Sequence, residues 1–243
     1  MIYIQLRLCH LYPDELNMYG DRGNIICIKK RLKWRGIDCT VEEVGIGDEA
    51  VFSDFDLFFI GGGQNFEQEL ICADLKTKKG SEIVSAIEDG KTFLCICAGY
   101  QMMGHYYETY NGDRYGFLGA IDFHTVASAA RMIGDYAFRL GEKSGASTVV
   151  GFENHSGKTY LEKNVSPLGK VIKGHGNNGT DFTEGVRYKN VFGTYSHGPV
   201  LPGNPEFCDH ILQTALERKY GKVQLSVLED SYENLVHRKR LIY

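Results

Sequence analysis

The sequence lacks any long hydrophobic run. No apolar stretch approaches the roughly 20 residues that cross a bilayer. Residues 1–6 are typical of a strand and lack the apolar core and small-residue cleavage site of a signal peptide. We therefore expect a cytoplasmic protein without a membrane span. Its seven cysteines, an odd number scattered along the chain, then act as small hydrophobic side chains or as a reactive thiol.

Excess positive charge is also missing. The chain has 27 lysines and arginines against 31 acidic residues, a formal net charge of −4, which argues against nucleic acid as a partner. We interpret the one basic cluster, residues 237–240, as part of a solvated tail. The sequence contains no Gly-x-x-x-x-Gly-Lys-Ser/Thr phosphate loop and no cluster with metal-ligand spacing. We therefore expect no cofactor and no metal in this chain.

Strand-like and helix-like segments alternate in the first half of the chain. This order predicts an α/β fold of three layers, a mostly parallel central sheet with helices on both faces. Ligands of such sheets bind beyond the carboxyl ends of the strands, and both Gly61-Gly62-Gly63 and Cys97 fall at such ends. The predicted elements are strands at 2–8, 39–44, 55–60 and 92–96, a helix after residue 21 that ends near Gly36, and a helix from Ser81 to Gly90.

The second half is less regular. It contains no internal repeat, low-complexity segment or long linker, so we predict a single domain over residues 1–243. Its core covers about residues 1–220 and its C-terminal tail residues 221–243. Here the predicted elements are strands at 148–152, 170–173 and 191–195 and a helix near 205–219.

A cysteine follows the buried strand at 92–96. The pattern of residues 94–101 predicts a strand, a tight turn and a helix, which places Cys97 above the edge of the sheet beside the N–H groups of the helix start. A helix N-terminus and a nearby imidazole both favour a reactive thiolate. Cys95 lies inside the apolar run and is predicted to be a core residue. Two buried structural cysteines remain an alternative, and a Cys-x-Cys metal pair is a weaker one.

Several motifs occur in the order found in a known family. The segment Cys97-Ala98-Gly99-Tyr100-Gln101 resembles the nucleophile turn of class I glutamine amidotransferases, Gly-x-Cys-x-Gly-x-Gln, with Cys95 in place of the first glycine. The resemblance runs from about residue 10 to residue 220 and is to the cobyric acid synthase-like branch, and within it to the glutaminase subunits of lipid II isoglutaminyl synthase. The other matching segments are residues 16–25, 58–63, 151–157, 174–178 and 195–199.

The resemblance implies a flavodoxin-like amidotransferase fold and hydrolysis of L-glutamine through a cysteine thioester. His197 follows a β-rich run and precedes Gly198-Pro199, so we prefer it to His155, which we expect to shape the site. The residues implied for the site are Cys97 and His197 as catalytic groups, the N–H groups of Gly62 and Ala98 as oxyanion donors, and Arg131, Gly63 and Gln101 as substrate-binding residues.

One expected catalytic group is missing from its usual place. Many amidotransferases carry a glutamate two residues after the catalytic histidine, and here that position is Pro199. Either Cys97 and His197 work as a dyad, or a carboxylate comes from elsewhere. The partner subunit is our hypothesis for its source.

The resemblance also implies a partner. This would be a MurT-like subunit of the Mur ligase type, which uses ATP and Mg²⁺ to activate the α-carboxyl of D-glutamate in lipid II at the cytoplasmic side of the membrane. Ammonia then yields D-isoglutamine. Alternatives are a glutaminase subunit of a cobyric acid synthase-like or other synthetase, a γ-glutamyl peptidase, and a non-catalytic scaffold. The presence of both Cys97 and His197 argues against the scaffold.

Overall fold

The computed structural model describes residues 3–142 and 147–242. Within these residues the chain forms two β-sheets and six α-helices. The helices are α1 Arg22–Trp34, α2 Asn65–Asp74, α3 Gly80–Glu88, α4 Ala98–Gln101, α5 Pro205–Tyr220 and α6 Ser231–Ile242. The strands are β1 Gln5–Leu11, β2 Asp38–Val44, β3 Leu57–Ile60, β4 Thr92–Ile96, β5 Tyr106–Glu108, β6 Arg114–Gly116, β7 Phe123–Leu140, β8 Thr148–Leu161, β9 Gly169–Lys173, β10 Thr183–Glu184, β11 Val186–Tyr188 and β12 Val191–Thr194.

The first sheet confirms the predicted α/β fold. Its strand order is β11-β12-β4-β3-β1-β2, and every pairing is parallel except that of β11 with β12. Across the sheet, the step from β1 to β2 runs towards one edge, whereas the step from β3 to β4 runs towards the opposite edge. Because parallel crossovers are right-handed, α1 and α3 cover opposite faces of the sheet. The carboxyl ends of β3, β4 and β12 then lie side by side at one edge.

Strands β3 and β4 form the centre of the core. Every residue of both strands is buried, as expected for parallel strands covered by helices on both faces. Phe58 and Phe93, which are paired in register, stack with ring centroids 4.3 Å apart. Each such side chain contributes on the order of 1.5–3 kcal/mol when fully buried. This rigid centre fixes the positions of the turns that follow both strands.

The second sheet is built around the long β7–β8 pair. Its order is β10-β9-β7-β5-β6, with β8 on β7, and only the β5–β7 pairing is parallel. The register between β7 and β8 shifts between Ala127 and Met132, and this irregularity contains Arg131. The sequence did not predict β7, because its small residues at 127–130 interrupt any alternation of apolar and polar side chains.

Other predicted boundaries differ from the structure. Strand β1 ends at Leu11, three residues beyond the predicted end, and the predicted start at residue 2 lies outside the described residues. Helix α5 agrees with the predicted helix. Ser81 does not cap a helix, since α2, a π-helical segment (Leu75–Lys79) and α3 follow one another directly; Gly90, with a φ of 75°, does follow the end of α3.

The basic cluster at 237–240 lies within α6, where His237 bonds to the Gly203 carbonyl at 3.0 Å. In the described part of the chain, none of the helices has the length and apolar character of a membrane span.

Candidate active site

Cys97 occupies a strained turn between β4 and α4. Its φ and ψ are 48° and −103°, a conformation that a residue with a side chain rarely adopts. Such strain is characteristic of a nucleophile at a sharp strand-to-helix turn, where it presents the side chain above the sheet. Cys95, by contrast, lies wholly in the core, as predicted, and burial raises the pKa of its thiol far above the usual value.

The turn after Cys97 also requires a glycine. A Cβ at Gly99 would lie 2.7 Å from the Ile60 carbonyl oxygen and 2.9 Å from that of Gly61. The Gly99 N–H donates to the Gly61 carbonyl at 3.1 Å, so the turns that follow β3 and β4 are joined directly. Ala98 is the first residue of α4, and its N–H therefore has no acceptor within the helix.

His197 lies beyond the end of β12, next to β4. Thr194 pairs with Ile96, and the Cys97 N–H donates to the Thr194 carbonyl at 2.8 Å, which sets the two strand ends in register. His197 and Phe152 then exchange two backbone hydrogen bonds, of 2.7 Å and 3.3 Å. This bridge attaches the 151–157 motif of β8 to the histidine motif, and it explains why both motifs occur in one chain.

The His197 ring is fully buried between charged neighbours. Its Nδ1 lies 3.5 Å from Oδ2 of Asp21, which is also fully buried. Burial disfavours the charged ring, but the charge of Cys97 and the interactions with Asp21 outweigh it and raise the pKa of His197 to about 10. The imidazolium form of His197 is therefore favoured beside Cys97. Sequence reasoning missed Asp21, although it lies in the 16–25 motif; nothing in its local pattern distinguishes it from a helix-capping residue.

The glycine turn after β3 packs against this pair. A Cβ at Gly62 would lie 2.5 Å from His197 Cε1 and 3.0 Å from Asp21 Oδ2, so only glycine allows so close an approach. The Gly62 N–H donates to Asp21 Oδ2 at 2.8 Å. It is therefore not available as the oxyanion donor that the sequence suggested. Gly63, the next residue, lines the cleft in front of Cys97.

Arg131 lies in the wall of the same cleft, on the irregular stretch of β7. Its Nε donates to Asn154 Oδ1, and Asn154 Nδ2 donates to the Tyr19 hydroxyl. The Tyr19 ring in turn meets the His197 ring edge-on, with centroids 5.1 Å apart. The guanidinium is therefore oriented through its Nε, and it is connected through the side chains of Asn154 and Tyr19 to the His197 ring.

Gln101 belongs to a buried hydrogen-bond network behind Cys97. It accepts from Gln68 Nε2 at 2.7 Å and donates to the Tyr195 hydroxyl at 3.0 Å. The Tyr195 ring stacks on His155, with centroids 3.6 Å apart and an interplanar angle of 3°. Gln101 also lines the cleft, so it supports the cleft floor as well as framing the pocket.

His155 differs from His197 in its electrostatics. Burial is the largest effect on the His155 ring and lowers its pKa, although Glu153 and the Gly157 carbonyl oppose this. Its Nδ1 lies 2.8 Å from the Gly157 carbonyl oxygen. Glu153 accepts from the backbone of His175 at 2.7 Å, which connects β8 to the 174–178 motif. His155 is thus a neutral ring that shapes the cleft wall.

Several of these residues line one cleft of about 280 Å³. Of the predicted site residues, it is lined by Cys97, Gly63, Gln101 and Arg131, and His155 also contributes. Among residues 3–142 and 147–242, no three histidine, cysteine or acidic side chains form a group suited to a metal ion.

Comparison with known families agrees with this chemistry. The family described as the CobB/CobQ-like glutamine amidotransferase domain matches residues 7–205. The chain belongs to this family. The amidotransferase family recognised from the sequence motifs is thereby confirmed.

Two curated relatives place the chain more closely, within the GatD subunits of this family. Subunit GatD of lipid II isoglutaminyl synthase (glutamine-hydrolysing) from Streptococcus pneumoniae (strain ATCC BAA-255 / R6) is 41% identical over 228 residues, 93% of this chain and 86% of the relative. The subunit of the same name from Staphylococcus aureus (strain N315) is 43% identical over 215 residues, 88% of this chain and 86% of the relative.

A solved structure supports the fold. A chain in the structure of PurLQS from Thermotoga maritima aligns with a TM-score of 0.61 and 18% sequence identity, and the alignment covers 88% of this chain and 99% of the other. At this level of identity the likeness concerns the fold alone. The amidotransferase fold that the sequence predicted is confirmed.

Proposed function

We propose that this chain is the glutaminase subunit of a lipid II isoglutaminyl synthase, with Cys97 as nucleophile and His197 as its acid–base partner. The observation that carries the proposal is the strained Cys97 turn beside a buried histidine whose pKa is raised to about 10. Family membership supports the reaction class, and the relatives named as GatD subunits of that synthase support the specific role.

The chemistry is an acyl transfer in two steps. The Cys97 thiolate attacks the side-chain amide carbon of L-glutamine, and the His197 imidazolium gives its proton to the leaving ammonia. The resulting thioester is cleaved by water, whose proton passes to His197 as glutamate is released. The developing oxyanion is stabilised by the N–H groups of Ala98 and Gly63. We assign Gly63 this role in place of Gly62, whose N–H donates to Asp21.

Arg131 and Gln101 complete the substrate site in this proposal. The Arg131 guanidinium pairs with the α-carboxylate of glutamine, for which its planar donors are well suited. Its Nε is bonded to Asn154, so the terminal nitrogens face the substrate. Gln101 fixes the cleft floor through Gln68 and Tyr195.

The acceptor reaction belongs to a second subunit. We infer a MurT-like partner of the Mur ligase type, which binds ATP and Mg²⁺ and activates the D-glutamate α-carboxyl of lipid II at the cytoplasmic face of the membrane. Ammonia released beside Cys97 then forms the D-isoglutamine amide. The relatives that match over most of the chain favour this partner over a cobyric acid synthase-like one.

The test is glutamine-dependent amidation of lipid II by the chain co-purified with its native partner. We expect Cys97→Ala to abolish amidation with glutamine and to retain amidation with added ammonium, because only the source of ammonia is lost. Cys95→Ala is the matched control, since this cysteine lies two residues away in the core, and we expect it to keep glutamine use.

Two results would overturn the proposal. Full use of glutamine by Cys97→Ala would exclude the thioester mechanism and favour a scaffold role. Co-purification of a synthetase that amidates an acceptor other than lipid II would leave the glutaminase chemistry intact but change the partner.

A further inference from the structure

We propose that Asp21 is the positioning carboxylate of His197, so that this chain supplies the third member of its own catalytic group. The inference rests on the proposed glutaminase function. It replaces the two alternatives that the sequence left open at Pro199, a Cys/His dyad and a carboxylate from the partner.

The placement of Asp21 fits this role. Its side chain and that of His197 are both fully buried, and Oδ2 lies 3.5 Å from Nδ1, the ring nitrogen that a carboxylate orients in a catalytic triad. Within the described residues, His197 is the basic side chain found within 4.0 Å of the Asp21 carboxylate. An isolated buried carboxylate is strongly disfavoured, so its charge requires the imidazolium as a partner.

The same oxygen also holds the glycine turn. Oδ2 accepts the Gly62 N–H at 2.8 Å, so one carboxylate fixes both the histidine ring and the turn that carries Gly63. Gly62 has no side chain because a Cβ there would lie 2.5 Å from the His197 ring. Asp21 thus couples the acid–base group to the proposed oxyanion donor.

Pro199 occupies the position, two residues after His197, where many amidotransferases carry a glutamate, and here it makes a packing contact. Pro199 lies against the start of α1, where a Cβ at Gly23 would be 2.5 Å from Pro199 Cγ. Pro199 therefore packs α1 against the loop that follows His197. Asp21, at the N-terminal end of that same helix, is brought to the ring by this contact.

The groups that face His197 determine its pKa. They are the Cys97 sulfur from the β4 turn, the Asp21 carboxylate from the start of α1, the Tyr19 ring and, across the cleft, the neutral His155. Asp21 stabilises the imidazolium, and its neutralisation lowers the pH at which His197 loses its proton. A role limited to folding would not move this pH.

The experiment compares Asp21→Asn with Asp14→Asn, an exposed carboxylate in the same N-terminal loop region. Asparagine can still accept the Gly62 N–H, so the substitution removes the charge and keeps the turn. With the full chain in its native complex, we expect kcat for glutamine hydrolysis to fall on the order of 10,000-fold, as when a triad aspartate is replaced by asparagine. We also expect the basic limb of the pH profile to move to lower pH, and Asp14→Asn to leave both unchanged.

Wild-type turnover of Asp21→Asn in the complex overturns the inference in favour of a partner carboxylate or a dyad. Reduced turnover with an unmoved basic limb also overturns it, since that result indicates a purely structural role. Cys97→Ala, assayed in parallel, separates this failure from that of the glutaminase function. If Asp21→Asn does not fold, the NMR spectrum of wild-type protein labelled with ¹⁵N-histidine decides: a strongly deshielded His197 Nδ1 proton supports the inference, and its absence overturns it.

Discussion

Gly62→Ala tests how closely the glycine turn and the catalytic histidine are packed. The new Cβ would lie 2.5 Å from His197 Cε1, whereas carbon atoms in contact are about 3.5–4.0 Å apart, so the ring must move by roughly 1 Å. A misplacement of this size costs on the order of 100-fold in rate, about 2.7 kcal/mol of transition-state stabilisation. The ring is fully buried, so its movement must displace packed neighbours.

The assay is steady-state glutamine hydrolysis by the complex, with Gly203→Ala as the matched control. At Gly203 the nearest atom to an added Cβ is Arg240 Nη1 at 3.6 Å, an ordinary contact. We expect kcat to fall about 100-fold in Gly62→Ala alone, with ammonium-driven amidation retained. A folded Gly62→Ala protein with the kcat of the control would refute the reasoning.

Three further predictions follow from the same structure. Arg131→Lys should raise KM for glutamine at least about 10-fold with little change in kcat, because a single ammonium replaces a two-pronged donor; an unchanged KM contradicts its role. Glu184 is buried, which raises the pKa of its carboxyl to about 7, so the stability it contributes at low pH is lost as pH rises from about 4.5 to about 7. Glu184→Gln should therefore gain stability relative to wild type across that window, and a pH-independent difference in urea denaturation would exclude this. Arg31→Met should destabilise the fold by about 3 kcal/mol, because it leaves the Asp230 carboxylate without its guanidinium while Asp209 keeps that of Arg35; urea denaturation measures this, and an unchanged midpoint contradicts it.

Much of the first sheet could be predicted from the sequence. The apolar runs at β3 and β4 and the glycine and cysteine turns that follow them are local signals, and they located the carboxyl edge where the cleft lies. The choice between Cys95 and Cys97 also came from local pattern, since only Cys97 precedes the bend.

The groups that complete the site depend on contacts far apart in the sequence. Asp21 lies 176 positions before His197, and no periodicity in a single chain relates the two. The use of the Gly62 N–H by Asp21 likewise appears only once the two strand ends and α1 are assembled. The long strand β7 could not be recognised because small residues replace the alternating pattern near Arg131.

Covalent labelling shows directly whether the Cys97 sulfur is the nucleophile of this cleft. The complex is treated with a glutamine-analogue electrophile, and the adduct is mapped by mass spectrometry across all seven cysteines. We expect one adduct, on Cys97, that excess glutamine prevents and that Cys97→Ala abolishes. An adduct on another cysteine, or no adduct in a complex that still hydrolyses glutamine, would contradict it.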